Sequence, residues 1–508
     1  LMVNRERMLS LTSALALVVL IVLFSVHTLT SIYQDIGRHI TIGRIIWETG
    51  NIPQTNLFSF TNRDFPFVNH HWLGGLLLYW GDRLVGLAGL IAIKSVLVGL
   101  AFGLALAAAW RQRIALPAVI IGLASIFTLV ERTDVRPEIF SFLFLGWFLF
   151  VLYRSRLQAT NYKLLWTLPL VQLIWVNTHI YFFMGPVLWL AFLIGKALSA
   201  PNIKSGLQSL LTNHYPLITI AIALATLVNP SSIHGALYPL TMWGNYGYSI
   251  VENQTPFFLQ AFNYPVMTTA AMFIVMVLAG ISFIVNRKHF RQNIDGVLLI
   301  LITAGLSLAM LRNFPLLALC AIPVFLRNID ESGRHTHSRS VLAFVCVIIA
   351  LIGASVVANQ IYDQAGIGGR RFGLIIPSGP QEPIDFFRSA GIKGPLFNNF
   401  DVGSFLIWKL HEEPVFIDGR PEAYPADFIQ NVYIKMQEDT VAWRAQSERY
   451  GINAIFWNYN DITPWSQIFV KRIVRDSQWV TVYRGKGIVI LVKNIPQNAS
   501  IISKHRLQ

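Results

Sequence analysis

Eleven runs of apolar residues, most of them close to the length a bilayer core requires, divide most of this chain. They are 8–30, 91–110, 114–130, 139–153, 164–178, 180–199, 216–229, 266–286, 297–311, 314–326 and 341–360, with 314–326 the weakest. A spanning helix needs about 20 apolar residues, and about 17 at the short end. Lipid offers no hydrogen bonds to the backbone, so only helices and closed barrels cross it. The reading is therefore an α-helical polytopic membrane protein with about eleven transmembrane helices. Composition agrees, with 13% of the 508 residues charged against about 25% in soluble domains.

The net charge of +14 does not point to nucleic acid. Lys and Arg sit mainly in short loops between the apolar runs, where they set topology. Residues 71–90, interrupted by Gly81, Asp82 and Arg83, would be a twelfth crossing. If they stay outside, fifteen cations fall in the cytoplasmic loops: Arg5/Arg7, Arg111/Arg113, Arg154/Arg156/Lys163, Lys196/Lys204, Arg287/Lys288/Arg291 and Arg327/Arg334/Arg339. Past residue 110 the outer loops keep Arg132, Arg136 and Arg312 alone. The expectation is a multi-pass protein of the cytoplasmic (inner) membrane, N-terminus inside and C-terminal domain extracytoplasmic. Run 8–30 follows Arg5 and Arg7 without a small-residue cleavage signal, which predicts a retained signal-anchor helix. Cys320 and Cys346 lie in apolar runs and read as small hydrophobes.

Two domains follow: a transmembrane domain, 1–361, with a long first outer loop, 31–90, and a C-terminal α/β domain, 362–508. In the loop, Ile36, Ile40 and Trp47 recur at helical spacing among Arg38, His39, Arg44 and Glu48, predicting an interface helix that ends at Gly50. In the domain, strand-like runs at 395–397, 414–418, 454–457, 479–483 and 488–492 alternate with helical patterns at 384–390, 402–410, 426–437 and 440–450.

This topology collects the unusual polar residues on the outer face. Asp35 follows the first crossing and is either a general base or the N-cap of the interface helix. Asp134, Arg136 and Glu138 stand in a short loop around Pro137, where Arg136 and a helix end suit an anion, or pair internally. Asn177 and His179 close a crossing, as cavity groups or as interfacial hydrogen-bonders. His70 and His71 lack a third ligand at metal spacing and should point apart if they lie on a helix or strand. Arg312 wants an anionic partner or snorkels. Asp418-Gly419-Arg420 follows a strand, as a functional loop or a structural Asp–Arg turn.

Motifs in chain order add a resemblance. Gly50 to Pro53 forms a turn after the first interface helix, and His71-Trp72 through Trp80 forms a second aromatic-rich one. Further on come Pro53-x-Thr55-x-x-Phe58-Ser59-Phe60, Asn69-His70-x-Trp72-Leu73 and Arg136-Pro137-Glu138-x-Phe140-Ser141. Trp175-x-Asn177-x-His179, Arg312-Asn313-x-Pro315-Leu316 and Phe416-Ile417-Asp418-Gly419-Arg420 complete the set. Together they resemble the GT-C superfamily, polytopic glycosyltransferases such as protein O-mannosyltransferases and aminoarabinose transferases. The likeness is closer still to bacterial GT-C-like proteins of unassigned substrate. A GT-C-like fold with a C-terminal α/β soluble domain is thereby implied. Asp35 matches the first-loop acid that serves as catalytic base, and Asp134 falls where some relatives place a second acid. The sequence has Gln34-Asp35 in place of an Asp-Glu pair, and no recognisable acceptor-binding module.

The function implied is an inverting transfer of sugar from a polyprenyl-phosphate donor at the outer face of the cytoplasmic membrane. Arg136 and Arg312 would hold the donor phosphate. Glu138, His70, His71, Asn177 and His179 would join them in one outward-facing cavity. Partners would be the donor lipid, membrane lipids and an acceptor of unspecified class (glycan, lipid or protein), with no nucleic acid. No cofactor is required; a divalent metal is admissible but nothing indicates one. The alternative from another class is a non-catalytic scaffold subunit that binds a partner complex through its outer face. A transporter fits least, because charges at helix centres are nearly absent.

Overall fold

In the computed structural model the described residues are 2–29, 35–157, 162–211, 214–244, 246–260, 266–333, 339–365, 370–376 and 381–507. Gln34, the start of the first loop and Arg334 lie outside them. The chain forms two compact units, each assembled from three stretches. One contains 1–28, 85–239 and 250–375; the other contains 29–84, 240–249 and 376–508.

The first unit is a helical bundle, and the protein is a multi-pass membrane protein. Among the described residues nine helices are long and apolar enough to cross a bilayer, or ten if the bent pair 203–211 and 215–227 counts as one span. The first ten helices are α1 (Met2–Ser25), α2 (Ile36–Thr49), α3 (Trp72–Ala109), α4 (Ala115–Leu129), α5 (Glu138–Leu157), α6 (Tyr162–Leu165), α7 (Thr167–Thr178), α8 (Met184–Ser199), α9 (Ile203–Leu211) and α10 (Tyr215–Leu227). The expected run 164–178 becomes α6 and α7, joined at Trp166, itself in right-handed helical conformation. Twelve residues of α7 span only about 18 Å at 1.5 Å per residue, so this run alone does not reach span length.

Burial inverts the hydropathy ranking. The least apolar span, 311–331, is the most buried, and the most apolar, 340–357, is the least buried. A helix walled by protein on every side needs no continuous greasy stretch, whereas one facing lipid does. That is why 314–326 looks weakest in sequence yet forms the centre of the bundle, as Phe314–Glu331.

Helix α3 is broken at Gly86 (φ 67°, ψ 178°), a conformation open essentially to glycine alone. The helix passes from the second unit to the first next to this break, between Leu84 and Val85. This break, rather than Gly81-Asp82-Arg83, interrupts the apolar stretch.

The second unit is built on a four-stranded sheet of β1 (Leu396–Asn398), β2 (Ala454–Asn458), β3 (Trp479–Gly485) and β4 (Ile488–Lys493), in the order β1-β2-β4-β3. β1 runs parallel to β2, and the other pairs are antiparallel. Alternation sends Phe397, Ile455 and Trp457 to one face and Leu396, Ala454 and Phe456 to the other. Both faces are covered: Trp443, Phe469 and Tyr433 pack on the first, Phe405, Leu406 and Phe387 on the second. The first loop completes these layers, Phe60 and Phe67 on one and Phe58 on the other.

The expected strand 414–418 is not in the sheet. Asn398 Nδ2 donates to Ile417 O (2.8 Å) and Phe416 N donates to Asn398 Oδ1 (3.0 Å). A side-chain amide thus occupies the place of a strand ladder, and Val415 instead pairs with the first loop at Ser59.

Helix α2 ends where expected: Gly50 takes a left-handed conformation (φ 68°) and its N–H donates to Ile46 O (2.9 Å). Several of its polar residues are not solvated, however, although Glu48 is exposed. Arg38, His39 and Thr41 are buried, because α2 packs on the helix Phe400–Lys409 and on the start of α3. At the α3 contact, a β-carbon on Gly43 would fall 2.2 Å from Gly75 O, so the crossing needs glycine.

Candidate functional site

The second unit holds Asp35, His70 and His71. Asp35 precedes α2 in right-handed helical conformation (φ −58°, ψ −22°), and its side chain makes no capping hydrogen bond. An N-cap ordinarily sits in the β region and accepts from the first-turn N–H groups. Here Asp35 Oδ1 instead accepts from Arg38 Nε (3.0 Å), with 26% of the side chain exposed.

A glycine borders that carboxylate. A β-carbon on Gly419 would lie 3.7 Å from Asp35 Oδ1 and 2.9 Å from Ser404 Oγ. Ser404 Oγ is itself buried without a hydrogen-bond partner among the described residues. Glu422 adds a second acid: burial pushes its carboxyl above the usual range, Arg38 opposes that, and Asp35 adds to it. Two carboxylates therefore share the field of one buried guanidinium.

Asp418 and Arg420, flanking Gly419, form the structural turn of the two readings. Arg420 donates to both Asp418 oxygens at 2.7 Å and to Asn56 Oδ1 at 2.7 Å. Tyr424 donates to Asp418 Oδ2 (2.7 Å) while its oxygen accepts from Asp418 N (3.0 Å). Both residues are shut from solvent, at 0% and 1% exposure, with the guanidinium over the Phe58 and Phe67 rings. The clamp fixes Gly419 and ties the first loop to the sheet unit.

His70 and His71 do not point apart: their ring centroids lie 3.7 Å apart, and His39 meets His71 edge-on at 5.3 Å. They occupy the turn before α3, where neither helical nor strand alternation applies. Among the described residues no group of three or more His, Cys, Asp or Glu is placed to hold a metal ion.

The first unit holds the remaining candidates, in two adjoining networks. In one, Arg370 donates to Asp134 Oδ2 (3.0 Å) and to Val130 O (2.8 Å). Lys94, wholly buried, donates to His27 Nε2 (3.0 Å) and to Thr133 O. His27 Nδ1 faces Thr28 O (3.0 Å) and must carry the ring proton, which leaves Nε2 as the acceptor. Burial, then Lys94 and Arg370, lower the His27 pKa to about 3. Burial works against ionisation of Asp134, but Arg370, His27, Arg136 and Lys94 outweigh it and hold the carboxyl well below the usual range.

In the other network, Arg132 grips Glu138 through a bidentate contact and reaches Glu252 Oε1 at 2.7 Å, which also accepts from Arg136 Nη1 at 2.5 Å. Burial would raise Glu252, yet Arg132 and then Arg136 bring it down to about 2. Arg312 donates to Asn253 Oδ1 (3.1 Å) and lies 6.0 Å from the Tyr181 ring centroid. Its Nε is buried without a hydrogen-bond partner among the described residues. Among the described residues Arg132, Arg136 and Arg312 thus face Glu138 and Glu252, which leaves one positive charge in excess.

His179 and Asn177 serve the turns they stand in. His179 Nδ1 accepts from Ser141 (2.9 Å) and Tyr181 N (3.4 Å), and Asn177 Nδ2 donates to Leu173 O (2.9 Å) and Val228 O (2.8 Å).

No protein-family model matches the chain, and no curated protein does. Solved structures do. The archaeal oligosaccharyltransferase AglB from Archaeoglobus fulgidus, in complex with an inhibitory peptide and a dolichol-phosphate, matches with a TM-score of 0.56 at 11% identity. The match covers 96% of this chain and 75% of that one. The chain shares the fold of that oligosaccharyltransferase. The same oligosaccharyltransferase, tethered with an acceptor peptide containing an NVT sequon, matches at 0.54 and 10% identity over 95% of this chain and 74% of its own.

In this chain several partners escape sequence reasoning: Arg370 for Asp134, Glu252 for Arg136, and Gly419 beside Asp35. Only Glu252 carries a local signal, as an acid in a stretch, 230–265, without Lys or Arg. The others are set by contacts between residues far apart in the chain, as with the 236 residues between Arg370 and Asp134.

Proposed function

We propose that this chain is a membrane glycosyltransferase that moves a sugar from a polyprenyl-phosphate donor to an acceptor at the outer face of the cytoplasmic membrane. The GT-C fold supports the class, and the dolichol-phosphate in the AglB complex supports a lipid-linked donor. The observation that carries the reading is the Asp35 carboxylate, partly exposed and not used as a helix cap.

Asp35 takes the proton of the acceptor group as that group attacks the anomeric carbon. The bond from carbon to phosphate oxygen breaks, its electron pair leaves with the polyprenyl phosphate, and the anomeric centre inverts. Arg136 and Arg312 neutralise the departing phosphate, a role fixed guanidiniums fill without a metal. Asp134, held ionised by Arg370, is too weakly basic to accept the proton and acts through its charge. Glu138 keeps Arg132 oriented beside Glu252, and His179 and Asn177 hold the turns that present Tyr181 and Arg312.

The same satisfied pairs, Arg132–Glu138 and Arg370–Asp134, are what a non-catalytic scaffold would also show. Mass spectrometry of lipids co-purified with the full chain separates the two. A polyprenyl-phosphate sugar that transfers on addition of acceptor extract supports the enzyme; a chain that never retains or consumes such a lipid is the scaffold.

A further inference from the structure

At the opposite end of α5 from Glu138 the bundle opens into a cavity of about 860 Å³. The separation along the helix is about 27 Å at 1.5 Å per residue, so this is not part of the Asp134–Arg312 networks. Among the described residues its charged lining is Arg156, Lys196 and Arg327, with His214 beside them and no carboxylate.

Two of the three cations are held in place from behind. Arg156 Nη2 lies 3.1 Å from Asp295 Oδ2, and Arg327 reaches Asp295 (3.6 Å) and Glu331 (2.8 Å). Both guanidiniums also donate to Gln292 O, at 3.4 and 3.0 Å. The third, Lys196, has no carboxylate partner among the described residues; its Nζ sits 5.2 Å from the Tyr215 ring centroid. Three cations against two carboxylates leave a positive excess facing the void. Phe192, under Arg156 at 5.0 Å, and Leu165 make the rest of the wall apolar. Cations facing an opening at the end of apolar helices suit an anion at the membrane surface.

We propose that this cavity binds a phosphate group, supplied in the membrane by the headgroup of an anionic phospholipid. The volume exceeds what inorganic phosphate fills, and basic pockets between membrane helices are suited to anionic headgroups. Lys196 supplies the unpaired charge, and Arg156 and Arg327 supply preoriented N–H donors. The site is independent of the transfer chemistry above.

Native mass spectrometry of the full chain in detergent tests this, with phosphatidylglycerol, phosphatidylcholine and inorganic phosphate titrated separately. Phosphatidylglycerol should bind in preference to phosphatidylcholine. Lys196→Gln should weaken it roughly fivefold, the worth of one cation near a lipid surface, and Lys196→Arg should restore it. Lys288→Gln, exposed and outside the cavity, should leave binding unchanged. Inorganic phosphate that displaces the lipid with the same Lys196 dependence would support the site and name a soluble source. Equal binding of both lipids by the wild type, or equal phosphatidylglycerol binding by wild type and Lys196→Gln, would overturn it. If Lys196→Gln fails to elute as a single species, the wild-type lipid preference and Lys196→Arg decide.

Discussion

The Arg420 guanidinium and the Asp418 carboxylate meet through two 2.7 Å bonds with no solvent at either side chain. Removing one partner strands the other charge, so Arg420→Ala should cost about 3–5 kcal/mol of stability, read as a lowered denaturation midpoint. Gly419→Ala should leave that midpoint nearly unchanged but cut transfer, because its β-carbon would enter the space beside Asp35 and Ser404. Two groups of the first unit contribute to its acid response in a readable pH range. Unfolded, His27 takes its proton near 6.5, but folded it does so at about 3. The neutral ring therefore stabilises fully above pH 6.5, and this is lost as pH falls from there toward 3. Glu252 contributes above about 4.5 and loses that as pH falls toward 2. Thermal unfolding in detergent should decline below pH 6.5, and His27→Gln should flatten the first part of that decline. Asp35, Asp134 and Arg136 are legible in the sequence because charge beside apolar runs is conspicuous. Their partners are not, since no local pattern encodes Arg370 or Gly419.

Elements follow the same division. Period and capping locate α2 and its end at Gly50, and four of the five expected strands are present. The fifth, 414–418, fails because Asn398 takes its backbone bonds, a side-chain event that periodicity cannot express. The short helices Pro464–Ile473 and Ala499–His505 carry too little periodic signal, their patterns being only two or three turns long. Gly86 gives the sharpest test at this scale. Nothing lies within 4 Å of where its β-carbon would stand, so Gly86→Ala acts through backbone strain alone. It should cost on the order of 1–3 kcal/mol, as a lower unfolding temperature without a packing defect. An unchanged temperature would mean that α3 runs straight through this point.

For the whole molecule, the count of apolar runs and the order of short motifs were enough to indicate a GT-C-like fold, and the match over 96% of the chain agrees. The pattern does not show how the chain groups itself, because the stretches 29–84 and 240–249 join the sheet unit through scattered aromatics such as Phe67 and Tyr248. The side of the membrane is open to direct measurement. With Cys320 and Cys346 replaced, Gln112→Cys should resist an impermeant thiol reagent added from outside, and labelling there would reverse the orientation. The central claim concerns transfer itself, and Asp35→Asn in reconstituted membranes tests it most directly. The amide keeps the shape and caps a helix nearly as well as the acid, but it cannot take a proton. Transfer from a polyprenyl-phosphate sugar should fall by about a hundredfold or more, with folding and donor binding retained. An Asp35→Asn protein that transfers sugar at the wild-type rate would contradict the account.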